Sequence, residues 1–496
     1  MDTGLTGGPH TRFLRGLERS GGGVAVHVGD QTLTYDRLHE LALLWGGALA
    51  ETGARTVGVL AGKGVTAYAG ILAGLYAGAT IVPLRPDFPA ARTAQMVEAA
   101  GIDTIVADER GLAVVPDGVP VLAPECGDRP RASQALSGPL APADTSYVLF
   151  TSGSTGRPKG VRIGRAALDH YFGLLDERYD FTPDDVFSQT FDLNFDCAMF
   201  DLFCAWGAGA PAVVLPGGAY RNLPRFAAER GLTVWFSTPS AIDLVRRTGG
   251  LTPGALPGLR WSFFAGEALT VRDTADWRAA ASSSIVENLY GPTELTVTVS
   301  GYRWDDVETP RVAVNGVVPI GEVHAGHDYL LLDEDAGEGE LCIAGPQMTP
   351  GYLDPADERG RFLERDGKRF YRTGDRVRRL GGADLAYLGR LDSQVQVLGW
   401  RVELTEVEHA LRDCGVQDVV ALGVAGDAGT ELFVFYTGGE RPVLEMVRAL
   451  RAVLPEGVIP RHYRHVDEFP LNSNRKIDRK TLAARAAEIL APVPVG

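Results

Sequence analysis

Short β-branched or apolar runs alternate with helical patterns through the first half of the chain. That alternation constrains the fold more than any other feature. TVGVLAG (56–62), VTAYAGILAGLYAGA (65–79) and TIVPL (80–84) follow one another directly, and RFAAERG (225–231) leads into LTVWFSTPS (232–240). Strand–helix alternation of this kind predicts an α/β fold of parallel sheets flanked by helices. The chain has 496 residues, more than one core accommodates, so two or more domains are expected. No repeat recurs at a fixed period.

The character changes near Gly389. GRLDSQVQVLGWRVE (389–403) is polar and glycine-punctuated and reads as a linker. LTEVEHALRDCG then predicts a helix, with Thr405 as its cap and Val407, Ala410, Leu411 and Cys414 on one face. Two strand-like runs follow, DVVALGV (418–424) and ELFVFYT (431–437), then a helix at 443–454 and a run at 461–466. Together they predict a small α/β unit of about a hundred residues, a plausible separate domain.

Composition narrows the function classes. The net charge of −15 disfavours bulk nucleic-acid binding. The five cysteines (Cys126, Cys197, Cys204, Cys342, Cys414) are widely spaced with no CxxC, which points to a reducing cytoplasm and no structural zinc. The N-terminus is polar and unlike a signal peptide, and no unbroken apolar run reaches membrane-spanning length. Among the five lysines (Lys63, Lys159, Lys368, Lys476, Lys480), only Lys159 and Lys476 fall in polar loops rich in Gly, Ser, Thr or Asn.

Lys159 lies in YVLFTSGSTGRPKGV (147–161), an apolar run opening into a hydroxyl-rich loop. Backbone N–H groups of such a loop can converge on a phosphate, with hydroxyls from Ser152, Ser154 and Thr155 and charge from Lys159. It is not the P-loop of NTPases, because Arg157-Pro158 separates Gly156 from the lysine and Gly160 follows it. Taken alone it can also be a bland Gly/Ser surface loop. NLYGPTELT (288–296) sets an aromatic beside a hydroxyl and a carboxylate, suited to a base, a phosphate and Mg²⁺. FYRTGD (370–375) ends in an aspartate placed to accept from ribose hydroxyls, and NSNRKID (472–478) holds Lys476. Each alone could be a surface turn.

In this order and at these distances the segments resemble the adenylate-forming superfamily: amino-acid adenylation domains, acyl-CoA synthetases and luciferases. The resemblance runs from LTYDRL (33–38) through LYAGATIVPLRPDFP (75–89), GEAL (266–269) and the motifs above to NSNRKIDRK (472–480). It implies a large N-terminal domain, residues 1–391, of parallel and mixed sheets holding ATP and substrate. A small mobile α/β domain, 392–496, carries the catalytic lysine. The implied reaction joins a carboxylate to the α-phosphate of ATP, releases pyrophosphate, and passes the acyl group to a thiol.

The resemblance also implies roles. Thr151, Ser152, Gly153, Ser154, Thr155 and Lys159 hold the β- and γ-phosphates. Thr293 contacts the α-phosphate, Glu294 binds Mg²⁺, Tyr290 stacks on adenine and Asn288 bonds its edge. Gly266, Glu267 and Gly291 complete the nucleotide site. Asp375 holds the ribose with Arg390 nearby, and Lys476 bridges the carboxylate and the α-phosphate. Asp392 is the hinge. The chain departs from the family pattern at Gln396 and at Asn474-Arg475-Lys476; Gln396 could change the thiolation face.

FDCAMFDLFCAWGAGA (195–210) matches the segment that meets the substrate, with Asp196 where amino-acid adenylation domains pair with the α-ammonium group. A plain fatty or aryl acid would leave that carboxylate buried and unpaired. The alternative is that Asp196 only caps a helix. The rest of the implied pocket is Cys197, Phe200, Phe236, Phe263, Ala265, Leu289, Val297 and Thr298. It is apolar and suits a neutral side chain, proline-like or aliphatic; Cys197 and Ala265 leave it roomier than in the L-proline ligases the chain looks closest to. The thiol is expected from a separate peptidyl carrier protein, since neither a phosphopantetheine attachment domain nor a condensation domain is read in the chain, and a small activator protein is a further possible partner. An acyl-CoA synthetase or a D-alanine–carrier-protein ligase is the alternative enzyme. A catalytically dead nucleotide-binding protein would lack Lys476 or Glu294, and both are present.

Overall fold

The computed structural model describes residues 7–127, 130–153, 156–392, 394–426, 429–470 and 477–491. The chain divides into two compact units. The first comprises Met1–Pro86, Met96–Phe150 and Gly160–Leu391; the second comprises Asp87–Gln95, Thr151–Lys159 and Asp392–Gly496.

The alternating runs fold as expected. Thr56–Leu60, Val65–Tyr76 and Thr80–Leu84 form a strand, a helix and a strand, and the two strands pair in parallel. They belong to a six-stranded sheet. A nine-stranded sheet contains the neighbouring strands Phe187–Gln189, Val234–Ser237, Trp261–Phe264 and Ile285–Tyr290, all mutually parallel. Antiparallel strands flank it, including Ser300–Arg303. A third sheet, of five strands between Asp328 and Arg390, is wholly antiparallel. Only a short 3-10 turn, Pro355–Glu358, interrupts its strands, and antiparallel neighbours need no long crossover.

Helix Cys197–Ala208 is buried at every one of its 12 residues. An all-round apolar helix is a core helix, and Gly209 at φ 82° ends it in the left-handed cap that glycine favours.

The second unit departs from expectation in two places. GRLDSQVQVLGWRVE is no linker. Its start completes strand Leu385–Arg390 in the first unit, and the remainder forms a hairpin, Gln394–Val397 against Trp400–Glu403. Leu398 and Gly399 form its two-residue turn at φ 49° and 85°, as a primed turn requires. Thr405 is no cap either: the helix is Leu404–Asp413, Glu403 occupies the cap position without a side-chain capping bond, and the Thr405 hydroxyl is buried without a partner among the described residues. Val407, Ala410 and Leu411 are buried as predicted, and Cys414 is half-buried at the helix end. Strands Val419–Gly426 and Gly429–Tyr436 pair antiparallel, and His462–His465 adds in parallel. All five cysteines are free. Among the described residues, no helix is long and apolar enough to cross a membrane.

Candidate active site

Most of the residues expected to line an amino-acid pocket lie at or near the carboxyl ends of four adjacent parallel strands, the end at which open α/β sheets place ligands. Phe236 and Phe263 are cross-strand neighbours. Phe200, from the buried helix, meets both: its ring centroid lies 4.8 Å from that of Phe236 and 5.3 Å from that of Phe263. Cys197, Ala265, Leu289, Val297 and Thr298 are also buried, and the Thr298 hydroxyl lies 3.1 Å from that of Tyr171.

Asp196 stands where a helix cap would, yet its side chain makes no capping bond. It is 8% exposed. Burial pushes its pKa from 3.8 up to about 6, against the opposing pull of hydrogen bonds from Thr293 and Cys197; the charge of Glu294 raises it further.

The segment before Asp196 is pinned through one residue that the sequence did not single out. Thr190 donates its N–H to Asp201 Oδ2 at 3.2 Å and its hydroxyl to the Phe236 carbonyl at 2.5 Å. Its carbonyl accepts from Lys63 Nζ at 2.8 Å. Lys63 also lies 3.7 Å from Asp192, which Arg85 bonds as well. Burial lowers the Lys63 pKa, and Asp192 and Asp201 hold it up. The scarcity of lysine was the available signal, but Lys63 lies outside the hydroxyl-rich loops.

Several of the first-unit residues expected to meet the nucleotide are also tied to one another or to neighbouring backbone. Asp375 and Arg390 face each other across paired strands, with Arg390 Nη1 donating to Asp375 Oδ1 at 2.9 Å and the Tyr290 hydroxyl donating to Oδ2 at 2.6 Å. Asn288 donates its amide protons to the carbonyls of Val318 and Pro319 at 3.2 and 2.9 Å, which leaves its side-chain oxygen as an acceptor. Glu267 accepts from the Ser240 N–H at 2.9 Å, and Gly266 before it has φ 87°. Gly291 admits no side chain, because a Cβ would sit 2.6 Å from Thr298 Cα. Glu294 is 1% exposed and accepts from the Tyr352 hydroxyl at 2.6 Å. No motif signalled Tyr352, an aromatic in a Pro/Gly-rich loop.

Thr151, Ser152, Gly153, Lys159 and Asp392 fall in the second unit. The Ser152 hydroxyl donates to the Arg401 carbonyl at 2.7 Å and accepts from the Glu403 N–H at 3.1 Å, so hairpin backbone occupies it. A Cβ on Gly153 would lie 2.0 Å from the Arg157 carbonyl oxygen. Lys159 is buried at the start of strand Lys159–Gly164. Asp392 Oδ1 accepts from the Gln394 N–H at 3.2 Å. Ser154, Thr155 and Lys476 lie outside the described residues.

The model of the AMP-binding enzyme family matches residues 13–353. The chain belongs to that family, the adenylate-forming superfamily whose motifs it carries. Within it, the L-proline--[L-prolyl-carrier protein] ligase of Streptomyces coelicolor is 32% identical, over 92% of this chain and 93% of its own length. Phosphinothricin tripeptide synthetase PhsC of Streptomyces viridochromogenes is 33% identical over 95% of this chain, which spans only 45% of PhsC. Among solved structures, IdnL7 is 56% identical with a TM-score of 0.76, covering 98% of this chain and 100% of its own. The adenylation domain AlmE of Vibrio cholerae, solved with glycyl-adenosine-5'-phosphate, is 26% identical with a TM-score of 0.85, covering 97% and 98%.

Proposed function

We propose that this chain activates an amino acid with a neutral, apolar side chain, proline-like or aliphatic, as its aminoacyl-adenylate, and then loads it onto the thiol of a separate carrier protein. The observation that carries the reading is Asp196. Its carboxylate is buried and makes no helix-capping bond, and the expected walls around it are mainly apolar. Such a group is costly unless a cation meets it, and the substrate's α-ammonium is that cation. The names of the carrier-protein ligase and of the glycyl-adenylate complex support the same reaction.

Asn288 presents its free acceptor to the adenine amino group, and Asp375, steadied by Tyr290 and Arg390, meets the ribose. Mg²⁺ fits the site as a passenger on ATP. Among the described residues no group of three or more His, Cys, Asp or Glu could hold an ion alone. Glu294 offers one buried hard oxygen ligand oriented by Tyr352, and phosphates and water supply the rest. When bound, the ion compensates triphosphate charge. Lys476 delivers its ammonium to the attacking carboxylate and the α-phosphate, where negative charge builds in the transition state. The small domain, 392–496, then turns about Asp392 and withdraws Lys476 for thiol transfer.

The test is ATP–pyrophosphate exchange over all proteinogenic amino acids, pipecolate and several β-amino acids. Exchange with an apolar amino acid and not with its desamino analogue is expected. Exchange only with simple carboxylic acids refutes the reading.

A further inference from the structure

The turn between strands Ile285–Tyr290 and Ser300–Arg303 contains two adjacent residues in the left-handed region, Thr296 at φ 58° and Val297 at φ 66°. Both are β-branched, for which this conformation is costly, and both are buried. Strain of this kind persists only where the surroundings over-determine it.

Gln347 supplies the constraint. Its Nε2 lies 3.2 Å from the carbonyl oxygens of Leu295 and Thr296 and 2.8 Å from that of Thr298. Only the amino end of the amide can face three acceptors, so the orientation of the side chain is fixed. The main-chain carbonyl of Gln347 accepts from the Thr296 hydroxyl at 2.6 Å, which ties the same turn a fourth time. Gln347 is 0% exposed, so bulk solvent does not compete for these carbonyls. Two backbone bonds close the ends: Thr349 N–H to the Glu294 carbonyl and His324 N–H to the Val299 carbonyl, each 2.8 Å.

This turn holds Thr293 and Glu294 at its start and the pocket walls Val297 and Thr298 at its end. We infer that Gln347 is a positioning residue that sets the side-chain selectivity of the amino-acid pocket by holding this strained turn, although it touches no reactant. The inference rests on the amino-acid reading above. Without the clamp, Thr296 and Val297 relax toward negative φ and carry the pocket wall with them. The phosphate-facing end of the turn shifts in the same movement.

The experiment compares kcat/KM for the best amino acid with that for its homologue one methylene larger, in pyrophosphate exchange. Unfolded enzyme scales both values equally, so their ratio reports pocket geometry and not stability. The variants are Gln347→Met, which lacks donors, and Gln347→Asn, which keeps the amide but withdraws it. Both should lower kcat for the best substrate by up to about 10²-fold, the scale of an ångström-level misplacement. Both should also shrink the ratio from its wild-type value, typically about 10–200-fold for one methylene, toward unity. Adding Thr296→Gly, which takes a positive φ without penalty but gives up the hydroxyl bond to the Gln347 carbonyl, should return the ratio part of the way toward wild type. An unchanged ratio in either soluble single variant overturns the inference, as does a double variant that recovers nothing. Recovery of both single variants only as aggregate also overturns it, because the clamp then serves the fold as a whole. Failure of the wild-type chain to exchange with any amino acid refutes the functional reading instead.

Discussion

Replacing or titrating Asp196 gives the sharpest check on the amino-acid pocket. Burial holds its pKa near 6, against 3.8 in water. At 1.36 kcal/mol per unit, that is roughly 3 kcal/mol against the ionised form in the empty pocket. The ammonium group pairs with the carboxylate and not with the neutral acid. Amino-acid affinity is therefore nearly full by pH 7, is about halved at pH 6 and falls as the pH drops further. At pH 5 about one enzyme in ten carries the charge, so the amino-acid KM should be about tenfold higher than at pH 7.5. Asp196→Asn should abolish this pH dependence and weaken binding by roughly 1.5–3 kcal/mol, about ten- to 150-fold. The desamino analogue should show neither effect. The assay is pyrophosphate exchange at saturating Mg·ATP between pH 5 and 7.5, with the variant as control for titration of ATP itself. An amino-acid KM flat across that range, or a slope that survives in Asp196→Asn, refutes the reasoning.

Lys476→Ala should lower adenylation by about 10²–10³-fold with little change in ATP affinity and near-normal transfer from a supplied aminoacyl-adenylate, followed by single-turnover kinetics; equal loss in both steps would contradict a withdrawn lysine. Lys159→Ala should instead weaken ATP and pyrophosphate binding, with a smaller effect on the chemical step. Asp392→Pro fixes φ at the proposed hinge, so one of adenylation and carrier loading should survive while the other collapses; survival of both argues against rotation there. Lys63→Met leaves the Thr190 carbonyl and Asp192 short of a donor and should cost roughly 1–3 kcal/mol in chemical denaturation, while Lys63→Arg retains most of it.

The motifs and the alternation of runs were legible because each depends on local chemistry. Gly291 needs the space a Cβ would fill, and TVGVLAG-type runs are buried on both faces of a parallel sheet. What escaped depends on pairing at a distance. The hairpin around Leu398 and Gly399 looked like a linker because a leucine in a left-handed turn violates the usual turn chemistry. Thr405 suited a cap locally, but the preceding strand hands the chain into the helix two residues earlier. Gln347 could not be found from sequence, because its role exists only once three carbonyls of a turn fifty residues earlier converge on it.

The proposed pocket walls arise on separate strands, one buried helix and the turn held by Gln347, and the strand and helix walls are each anchored by their own pairing or packing. Remodelling such a pocket is therefore modular. A bulkier residue at Ala265 or Cys197 shortens the space along one direction while the Phe236–Phe263 register beside it and the Tyr290–Asp375–Arg390 group keep their hydrogen bonds. On the proposed reading, a single substitution at such a wall changes which amino acid fits while the residues proposed for ATP stay in place.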